Sequence, residues 1–371
     1  MSNSKNSGNK IVVFGATGYT GELVARALVA RGARPLLAAR SQARLTALAQ
    51  ELGGLDTQLA DIGQPASVQA LLTRGDVLIS TVGPFARYGE PAVQAAIAVG
   101  ATYLDSTGEP PFIRSIFERH HRAAVAARVP LLTAFGYDWV PGNLAGALAL
   151  REAGAKATRV EIGYFSRGGG GISGGTRASM VIALLDPSFA WRGGRLTAER
   201  GTARTRSFEV APGKLKTGAT VGGTEHYGLP AIHPTLRDVD VFLGVAKAER
   251  MPLVSGAVSA LTKVPGMLGA LHALSAKLVK GSIGGPDAAS RANSSSTIIA
   301  ETFTGNSREP LSRVKLEGVN GYTFTADILA WAAITALAGG VKGTGALGPV
   351  AAFGLDVLEQ GVKQAGLERK T

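Results

Sequence analysis

The chain has 371 residues, of which 45% are apolar, and it contains no cysteine. This length favours two domains, and the absence of cysteine excludes disulfides, a thiolate nucleophile and zinc held by thiolates. The formal net charge is +12, but the 39 basic residues are spread along the chain without a dense cluster. We therefore expect no nucleic-acid partner, while a phosphate-bearing ligand is compatible with the charge.

Residues 1–10 are polar and lack the apolar stretch of a signal peptide, so we expect a disordered tail there. The longest uncharged runs, such as residues 328–341, are shorter than the roughly 18 residues that a membrane-spanning helix needs. The sequence thus predicts no transmembrane segment and favours a cytoplasmic location.

The first structural element predicts a nucleotide site. An apolar, largely β-branched strand over residues 11–14 leads into three glycines spaced three apart, and a helical pattern follows to residue 31. The first glycine allows a sharp turn, the second lets backbone amides approach a diphosphate, and the third lets the helix pack closely on the sheet. The helix N-terminus faces the anion. The predicted phosphate-binding residues are Gly15, Thr17, Gly18, Tyr19, Thr20 and Gly21.

The end of the second strand, residues 35–39, decides which dinucleotide is expected. The position that would read the ribose holds Arg40, not an acidic residue. Together with Ser41, and with Arg44 one turn later, it would donate hydrogen bonds to a 2′-phosphate, so the sequence favours NADP(H) over NAD(H). The alternative is that Arg40 and Arg44 are a solvated pair at a helix start.

Strands and helices continue to alternate up to about residue 140. Strands are predicted at 58–60, 76–81, 101–105 and 130–135, and helices at 45–52, 65–73, 90–99 and 111–128. This pattern predicts a Rossmann-type doubly wound parallel sheet that binds ligands at the carboxyl ends of its strands. Asp61 would lie near the adenine, and Thr81, Gly83 and Pro84 near the nicotinamide. Ordinary turn chemistry is the alternative for each of these residues.

The pattern changes after residue 140, where strands are predicted at 157–166, 206–210, 239–245, 297–304 and 311–317 and helices at 326–338 and 349–364. We expect a fold of the α/β class, consisting of the Rossmann-type sheet and a second α+β domain. The predicted divisions are a tail at 1–10, an NADP-binding domain at 11–140, a substrate or dimerisation domain at 141–320, and C-terminal helices at 321–371 that pack back on the first domain.

Several catalytic classes find no support in the chain. No tyrosine has a lysine four residues later, and no lysine occurs between Lys10 and Lys156, so the Tyr-x-x-x-Lys mechanism of short-chain dehydrogenases is excluded. No metal-binding motif is present. His120 and His121 are expected on a solvated helix face, whereas His226 and His233 lie in a predicted loop and either one is an alternative proton donor.

Two segments outside the glycine turn are candidates for chemistry. The hinge at residues 135–143 contains Tyr137 and Asp138 and would border the nicotinamide. Ser173 and Thr176 follow a glycine-rich stretch and open a predicted helix that runs to about residue 185. Their amides and hydroxyls would bind an anion or the oxygen of a developing enolate, and helix capping is the alternative.

A predicted amphipathic helix carries apolar residues at helical spacing, namely Val254, Val258, Leu261, Leu268, Leu271 and Leu278. The favoured explanation is contact with the core or with a second copy in a homodimer. The alternative is peripheral contact with a lipid surface or an acyl chain, which would associate the protein with a membrane.

Several of these motifs bring a resemblance into view. They are Gly-Ala-Thr-Gly-Tyr-Thr-Gly at 15–21, Ala-Arg-Ser at 39–41, Ser-Thr-Val-Gly-Pro-Phe at 80–85, Tyr-Gly-Glu-Pro-Ala-Val at 88–93, Tyr-Leu-Asp-Ser-Thr-Gly-Glu at 103–109, Gly-Tyr-Asp-x-Val-Pro-Gly at 136–142, Ser-Gly-Gly-Thr-x-x-Ser at 173–179 and Gly-Tyr-Thr-Phe-Thr-Ala at 321–326. The chain resembles the saccharopine dehydrogenase-like oxidoreductases, and within them it is most similar to the trans-acting enoyl reductases of actinobacterial lipid synthesis.

The resemblance implies a Rossmann domain with an inserted α+β domain and NADPH-linked reduction of a small-molecule or acyl-thioester substrate. It implies Tyr137 or Asp138 beside the nicotinamide, and Ser173 and Thr176 near the acyl oxygen. Trp139 stands where a smaller residue is expected, which leaves the shape of the substrate pocket open. The alternatives are a sensor or scaffold that binds NADP(H) without turnover, and an imine-forming amino-acid dehydrogenase of the saccharopine type.

Overall fold

A computed structural model describes residues 8–370 except 169–170, 172, 175, 178–185, 246, 262–265, 268 and 270–283. Its first domain alternates strands and helices, in the order β1 (Ile11–Phe14), α1 (Tyr19–Ala30), β2 (Leu36–Ala39), α2 (Gln42–Glu51), β3 (Thr57–Leu59), α3 (Pro65–Gln69), β4 (Val77–Ser80), α4 (Phe85–Tyr88), α5 (Glu90–Val99), β5 (Thr102–Asp105), α6 (Pro110–Ser115), a π-helical turn (Ile116–His120), α7 (His121–Ala127) and β6 (Pro130–Leu132).

These strands form the parallel sheet that the sequence predicts. The described strands run in the order β15-β6-β5-β4-β1-β2-β3, where β15 (Gly345–Ala346) comes from the C-terminal part of the chain. Val12 of β1 lies between Leu36 of β2 and Leu78 of β4, and every residue of these three strands is buried. Because β1 is flanked by β2 and β4, the order reverses beside it, and the turn after β1 lies at the point where doubly wound sheets bind ligands.

The rest of the chain builds a second, mixed sheet and the helices around it. These elements are α8 (Val140–Ala153), β7 (Arg159–Arg167), β8 (Ser188–Arg192), β9 (Arg195–Glu199), β10 (Thr205–Ala211), β11 (Lys214–Thr220), α9 (Glu225–Ile232), β12 (Asp238–Gly244), α10 (Met251–Leu261), α11 (Ala288–Ala292), β13 (Ser295–Phe303), β14 (Ser312–Val319), α12 (Gly321–Leu337), α13 (Pro349–Phe353), α14 (Leu355–Gln364) and β16 (Leu367–Lys370), with 3-10 turns at Gly154–Lys156 and Ala248–Arg250.

The second sheet runs β10-β11-β12-β7-β13-β14-β16, and β8 pairs with β12 and β9. Strands β7 and β12 are parallel, while the other neighbours are antiparallel. Helix α8 is buried along almost its whole length and packs on β7, β13 and β14. The chain is therefore an α/β protein with a Rossmann-type sheet and a second α+β unit.

Helix α12 connects the two sheets through its packing on α1. Arg31, just after α1, forms a 2.6 Å ion pair with Asp327 of α12. Farther along α12, the Trp331 ring lies 4.8 Å from the ring of Phe353 and leaves room only for a glycine at position 361 of α14. The first turn of α12 lies beside the start of α1, where the rings of Tyr322 and Tyr19 are 5.2 Å apart.

Some predicted elements differ from the observed ones. The helix predicted over 349–364 is divided at Gly354, whose φ of +82° is left-handed. The helix predicted over 111–128 contains a π-helical turn. Strands β8, β9, β11, β15 and β16 were missed because they are short or carry many polar residues, which weakens the alternating signal.

The amphipathic segment at 254–278 is only partly described. Val254, Val258 and Leu261 lie in α10, and Leu253 and Val254 of that helix are 79% and 44% exposed. Leu268, Leu271 and Leu278 lie outside the described residues, as does most of the helix predicted after Ser173. In the described part of the chain, none of the helices combines the length and the apolar character needed to cross a bilayer.

Candidate functional site

The turn after β1 has the geometry of a phosphate cradle. Gly15 has a φ of +87°, and its amide and that of Ala16 donate to the carbonyl of Ala38 at 2.8 and 3.1 Å. A Cβ atom on Gly21 would lie 2.2 Å from the Gly15 carbonyl oxygen, and one on Gly18 would lie 3.2 Å from the same atom. Side chains are thus kept out of this turn, and the amides at the start of α1 remain accessible to an anion, which fits the diphosphate of a dinucleotide.

The basic residues after β2 lie beside this cradle. The Arg44 guanidinium donates to the carbonyl of Thr17 at 2.5 Å, which brings it against the glycine turn. Arg40 and Arg44 are both exposed, and Arg40 has no ion pair with any described residue. Ser41 is the N-cap residue of α2, although its hydroxyl makes no capping bond. An exposed guanidinium without a carboxylate partner suits a 2′-phosphate.

The other predicted cofactor residues differ in their surroundings. The Asp61 carboxylate accepts from the amide of Gly63 at 2.8 Å, so it stabilises its own turn, which was the alternative for this residue. Thr81 donates its hydroxyl to the carbonyl oxygen of Phe14 at 3.1 Å and lies 3.2 Å from that of Gly15. Thr81 therefore ties the end of β4 to the glycine turn.

A cleft of about 580 Å³ lies between the carboxyl edge of the Rossmann sheet and the second sheet. Nine predicted site residues line it, namely Gly18, Tyr19, Thr20, Thr81, Gly83, Tyr137, Asp138, Ser173 and Thr176. Eight others do not line it, namely Gly15, Thr17, Gly21, Arg40, Ser41, Arg44, Asp61 and Pro84. The structure thus brings the predicted phosphate turn and the predicted catalytic residues to one cavity.

The hinge after β6 supplies two polar side chains to the wall of this cleft. The backbone amide of Tyr137 donates to the Thr325 hydroxyl at 2.9 Å, while burial raises the pKa of the Tyr137 phenol to about 12. Burial also raises the pKa of the Asp138 carboxyl to about 6. Among the described residues, the Asp138 carboxyl has no hydrogen-bond partner. A carboxyl in this state can hold a proton or a cation at the cleft.

Trp139, the residue that departs from the expected pattern, is only 1% exposed. Its ring contacts Tyr164 edge-on at 5.2 Å, and its carbonyl accepts from the Asn143 side-chain amide at 3.0 Å. The tryptophan therefore packs between α8 and the second sheet, and it contributes to the cleft as part of a rigid wall.

Glu225 is a buried acid behind this wall, and no pattern in the sequence indicated it. Glu225 is fully buried, and its Oε1 lies 2.6 Å from the phenol oxygen of Tyr164. That phenol accepts from the Gly142 amide and also lies 3.2 Å from the carbonyl of Trp139. One phenol hydrogen cannot serve both the carboxyl and the carbonyl, but all contacts are hydrogen bonds if the Glu225 carboxyl is protonated. Burial raises its pKa to about 8, in agreement.

Ser173 and Thr176 form a hydroxyl cluster with a third residue, Tyr322. The Thr176 hydroxyl lies 2.9 Å from the Ser173 hydroxyl and 2.9 Å from the Tyr322 hydroxyl. The Ser173 amide donates to the Tyr322 oxygen at 2.7 Å. The Thr176 amide donates to the Ser173 hydroxyl at 3.1 Å, which is the capping contact considered as the alternative.

Tyr322 also contacts the nucleotide turn. Its ring lies edge-on to the ring of Tyr19, with 5.2 Å between the centroids. The Tyr19 hydroxyl donates to the carbonyl of Pro286 at 2.5 Å and accepts from Arg291 at 3.1 Å. In the sequence Tyr322 stands out only as part of the Gly-Tyr-Thr-Phe-Thr-Ala motif, because no local pattern relates it to Ser173 or Tyr19.

None of the four histidines in the described ranges, His120, His121, His226 and His233, lines the cleft. His226 is 1% exposed, and burial lowers its pKa to about 4, which does not suit a proton donor. His233 contacts the carbonyl of Ala157. The expectation of a solvated face was wrong for His120, which is 8% exposed and lies 3.0 Å from a carboxylate oxygen of Glu90. No group of three or more potential metal-ligating residues occurs within the described ranges.

Sequence comparisons relate parts of the chain to trans-acting enoyl reductases. Trans-acting enoyl reductases of Mycobacterium ulcerans and Mycobacterium leprae are 39% and 41% identical over 141 and 140 residues, which cover 36% of this chain and 34% of theirs. A Mycobacterium tuberculosis protein provisionally given the same name is 40% identical over 190 residues, 48% of this chain and 45% of that protein. The matches thus span less than half of these relatives.

Solved structures match over nearly the whole chain. Saccharopine dehydrogenase (L-Glu forming) of Saccharomyces cerevisiae aligns with a TM-score of 0.62 and 15% identity, covering 98% of this chain and 99% of that one. Homospermidine synthase of Legionella pneumophila aligns with a TM-score of 0.59 and 11% identity, covering 98% and 91%. At these identities the matches establish the fold alone.

A family model matches the nucleotide-binding part of the chain. Residues 11–132 match the model of the saccharopine dehydrogenase NADP-binding domain, and they include the glycine turn and Arg40. NADP is accordingly the cofactor of this domain, and the family is one of oxidoreductases. Residues 11–132 of this chain therefore match the saccharopine dehydrogenase NADP-binding domain, and the whole chain has the saccharopine dehydrogenase fold.

Proposed function

We propose that this protein is an NADPH-dependent reductase of an enoyl thioester. The observation that carries the proposal is the single cleft that joins the glycine turn, the Asp138 carboxyl without a partner, and the hydroxyl cluster of Ser173, Thr176 and Tyr322. The identity to trans-acting enoyl reductases supports the choice of reaction. Walls formed by Phe85, Val221, Leu243 and similar side chains suit a hydrocarbon chain.

The residues divide the work between cofactor and substrate. The turn at Gly15, Gly18 and Gly21 would hold the diphosphate, and Arg40 with Arg44 would hold the 2′-phosphate. The bound cofactor supplies a hydride, which is added at the β-carbon of the enoyl group. The side chains of this protein then have two tasks: they stabilise negative charge on the carbonyl oxygen and provide a proton at the α-carbon.

Asp138 is our candidate for the proton at the α-carbon. Burial raises the pKa of its carboxyl to about 6, and no described residue competes for its proton. This role requires the protonated form, so the rate should fall as the pH rises through about 6. Tyr137, beside it, has a pKa of about 12 and would contribute its ring to the cofactor side of the cleft.

The same carboxyl favours a second candidate, the reduction of an imine formed from an amine and an oxoacid. An iminium ion is cationic, and an ionised Asp138 would pair with it. For that substrate the rate should rise with pH through the pKa of Asp138, which is the opposite of the dependence expected for an enoyl thioester.

The test follows NADPH absorbance with purified protein and three sets of compounds: crotonyl-, hexenoyl- and dodecenoyl-coenzyme A, the corresponding saturated thioesters, and pairs of amine and oxoacid. We expect oxidation of NADPH with an enoyl thioester and formation of the saturated product. Oxidation only with an amine and an oxoacid together would overturn the proposal in favour of imine reduction. Tight NADPH binding without oxidation by any compound would indicate a sensor or scaffold.

A further inference from the structure

We propose that the phenol of Tyr322 is the group that donates a hydrogen bond to the substrate carbonyl oxygen, and that Ser173 and Thr176 act by orienting this phenol. The proposal rests on the proposed function, because it names the donor for the carbonyl oxygen of that reaction. It assigns to Tyr322 a contact with substrate, and to the two smaller hydroxyls a positioning role.

The cluster of Ser173, Thr176 and Tyr322 has one more hydroxyl hydrogen than its internal contacts use, and this hydrogen can be donated to a ligand. Ser173, Thr176 and Tyr322 carry three hydroxyl hydrogens, but only two hydroxyl–hydroxyl contacts join them. Each contact uses one hydrogen, so one hydrogen is left over. Within the described part of the chain, no other acceptor lies within hydrogen-bond distance of these three hydroxyls. The spare hydrogen is therefore available in the cleft, which all three residues line.

The backbone contacts allow Tyr322 to hold this hydrogen. The Ser173 amide donates to the Tyr322 oxygen, and the Thr176 amide donates to the Ser173 oxygen. If Ser173 donates to Thr176 and Thr176 donates to Tyr322, the phenol oxygen accepts two hydrogen bonds and its own hydrogen points to the ligand. In this arrangement all donors run towards Tyr322, and hydrogen bonds in such chains strengthen one another.

The chemistry of a phenol favours the same arrangement. A tyrosine hydroxyl, with an ordinary pKa of about 10, is a far stronger acid than the hydroxyls of serine and threonine, so it donates better to a developing negative charge. The hydrogen stays on the phenol oxygen throughout. The α-carbon of the enolate takes its proton from the Asp138 carboxyl. The new C–H bond forms, the carbonyl group becomes neutral again and the carboxyl is left ionised, so this step needs no additional reactant.

The Tyr322 hydroxyl can be removed without losing the contact between the Tyr322 and Tyr19 rings. Tyr322→Phe keeps the ring that packs edge-on against Tyr19 of the nucleotide turn, and removes only the oxygen. The affinity for NADPH should therefore stay within about twofold. As a matched control, Tyr227→Phe removes another buried phenol oxygen, one that lies outside the cleft.

We expect kcat for the best enoyl thioester to fall about 100-fold in Tyr322→Phe, the usual effect of removing one donor to an oxyanion, and to stay unchanged in Tyr227→Phe. Binding of the saturated acyl-coenzyme A to the NADP⁺-loaded protein, followed by calorimetry, should weaken about threefold to tenfold in Tyr322→Phe. Ser173→Ala keeps the phenol and its amide partner, so its effect on kcat should be below tenfold.

Three outcomes would overturn the inference, and they can be told apart. A wild-type protein that binds NADPH but oxidises it with no enoyl thioester removes the proposed function and this inference together. An active wild type with unchanged kcat and acyl affinity in Tyr322→Phe removes only the inference. Equal losses in Ser173→Ala and Tyr322→Phe, with weaker NADPH binding in both, would mean that the cluster has only a structural role.

Discussion

The buried Glu225 carboxyl should make the stability of this protein fall as the pH rises from acid to alkaline. Its ordinary pKa is 4.5, and burial raises it to about 8 in the folded protein. A group with a raised folded pKa binds its proton more tightly in the folded state than in the unfolded state. Its contribution is therefore complete below the unfolded pKa and is lost as the pH rises through the folded pKa.

The size of the effect follows from the shift. A change from 4.5 to about 8 corresponds to roughly 5 kcal/mol of unfolding free energy, at about 1.4 kcal/mol for each pKa unit. Burial of the Glu225 carboxyl is the cause of the shift. The contacts of the Tyr164 phenol agree with a protonated carboxyl, because those with Glu225 and Trp139 can both be hydrogen bonds only in that form. Ionisation leaves a buried charge with no cation to balance it among the described residues.

The assay is urea unfolding of the wild type and of Glu225→Gln at a series of pH values from about 4 to about 9. Asp105, with a pKa of about 6, adds to the slope of both proteins and cancels in the difference. The advantage of the wild type over the variant should shrink by roughly 5 kcal/mol over this range. Glu249→Gln, at an exposed position, should give a constant difference. Parallel curves for the wild type and Glu225→Gln would refute the reasoning.

Three further predictions concern the nucleotide domain. Arg40→Asp should weaken NADPH binding about 10-fold to 100-fold and NADH binding much less, because the lost hydrogen bonds to a charged phosphate are worth about 1.5–3 kcal/mol; fluorescence titration measures both, and equal weakening would contradict the 2′-phosphate role. Gly21→Ala should abolish saturable NADPH binding, since the new Cβ would lie 2.2 Å from the Gly15 carbonyl oxygen; undiminished affinity in a folded variant would argue against the cradle. Asp76→Asn should lower the unfolding free energy by about 2–3 kcal/mol, because this buried carboxylate accepts from two backbone amides; urea unfolding tests this, and a change below about 0.5 kcal/mol would be inconsistent with it.

The first half of the fold could be predicted because its signals are local. Fully buried parallel strands give continuous apolar runs such as Ile11–Phe14 and residues 77–79, and the helices between them show a regular apolar period. The second sheet was only partly predicted. Its edge strand β16 ends in Glu-Arg-Lys, and β11 has the sequence Lys-Leu-Lys-Thr-Gly-Ala-Thr, so neither has the apolar alternation of a strand that is buried on one face.

Part of the cleft could also be predicted from short segments. Tyr137 and Asp138 follow a buried strand of the first sheet, and such strand ends meet at one edge. Glu225 and Tyr164 could not be paired in this way. They are 61 positions apart, and a lone glutamate at the start of a short helix looks like an ordinary solvated residue. Only the packing of α9 against α8 and the second sheet removes it from water and raises its pKa.

The sequence by itself determined the glycine turn that we propose as the cofactor site. Gly15, Gly18 and Gly21 lie within one turn of chain, and Arg40 directly follows the neighbouring strand, so short-range geometry settles where they lie. The tertiary structure alone decided that Tyr322 meets Ser173, 149 positions away, and that both face the same cleft. The physical reason is that hydrogen bonds between distant segments depend on how whole domains pack, and this packing leaves no periodic trace in the residues that make the contact.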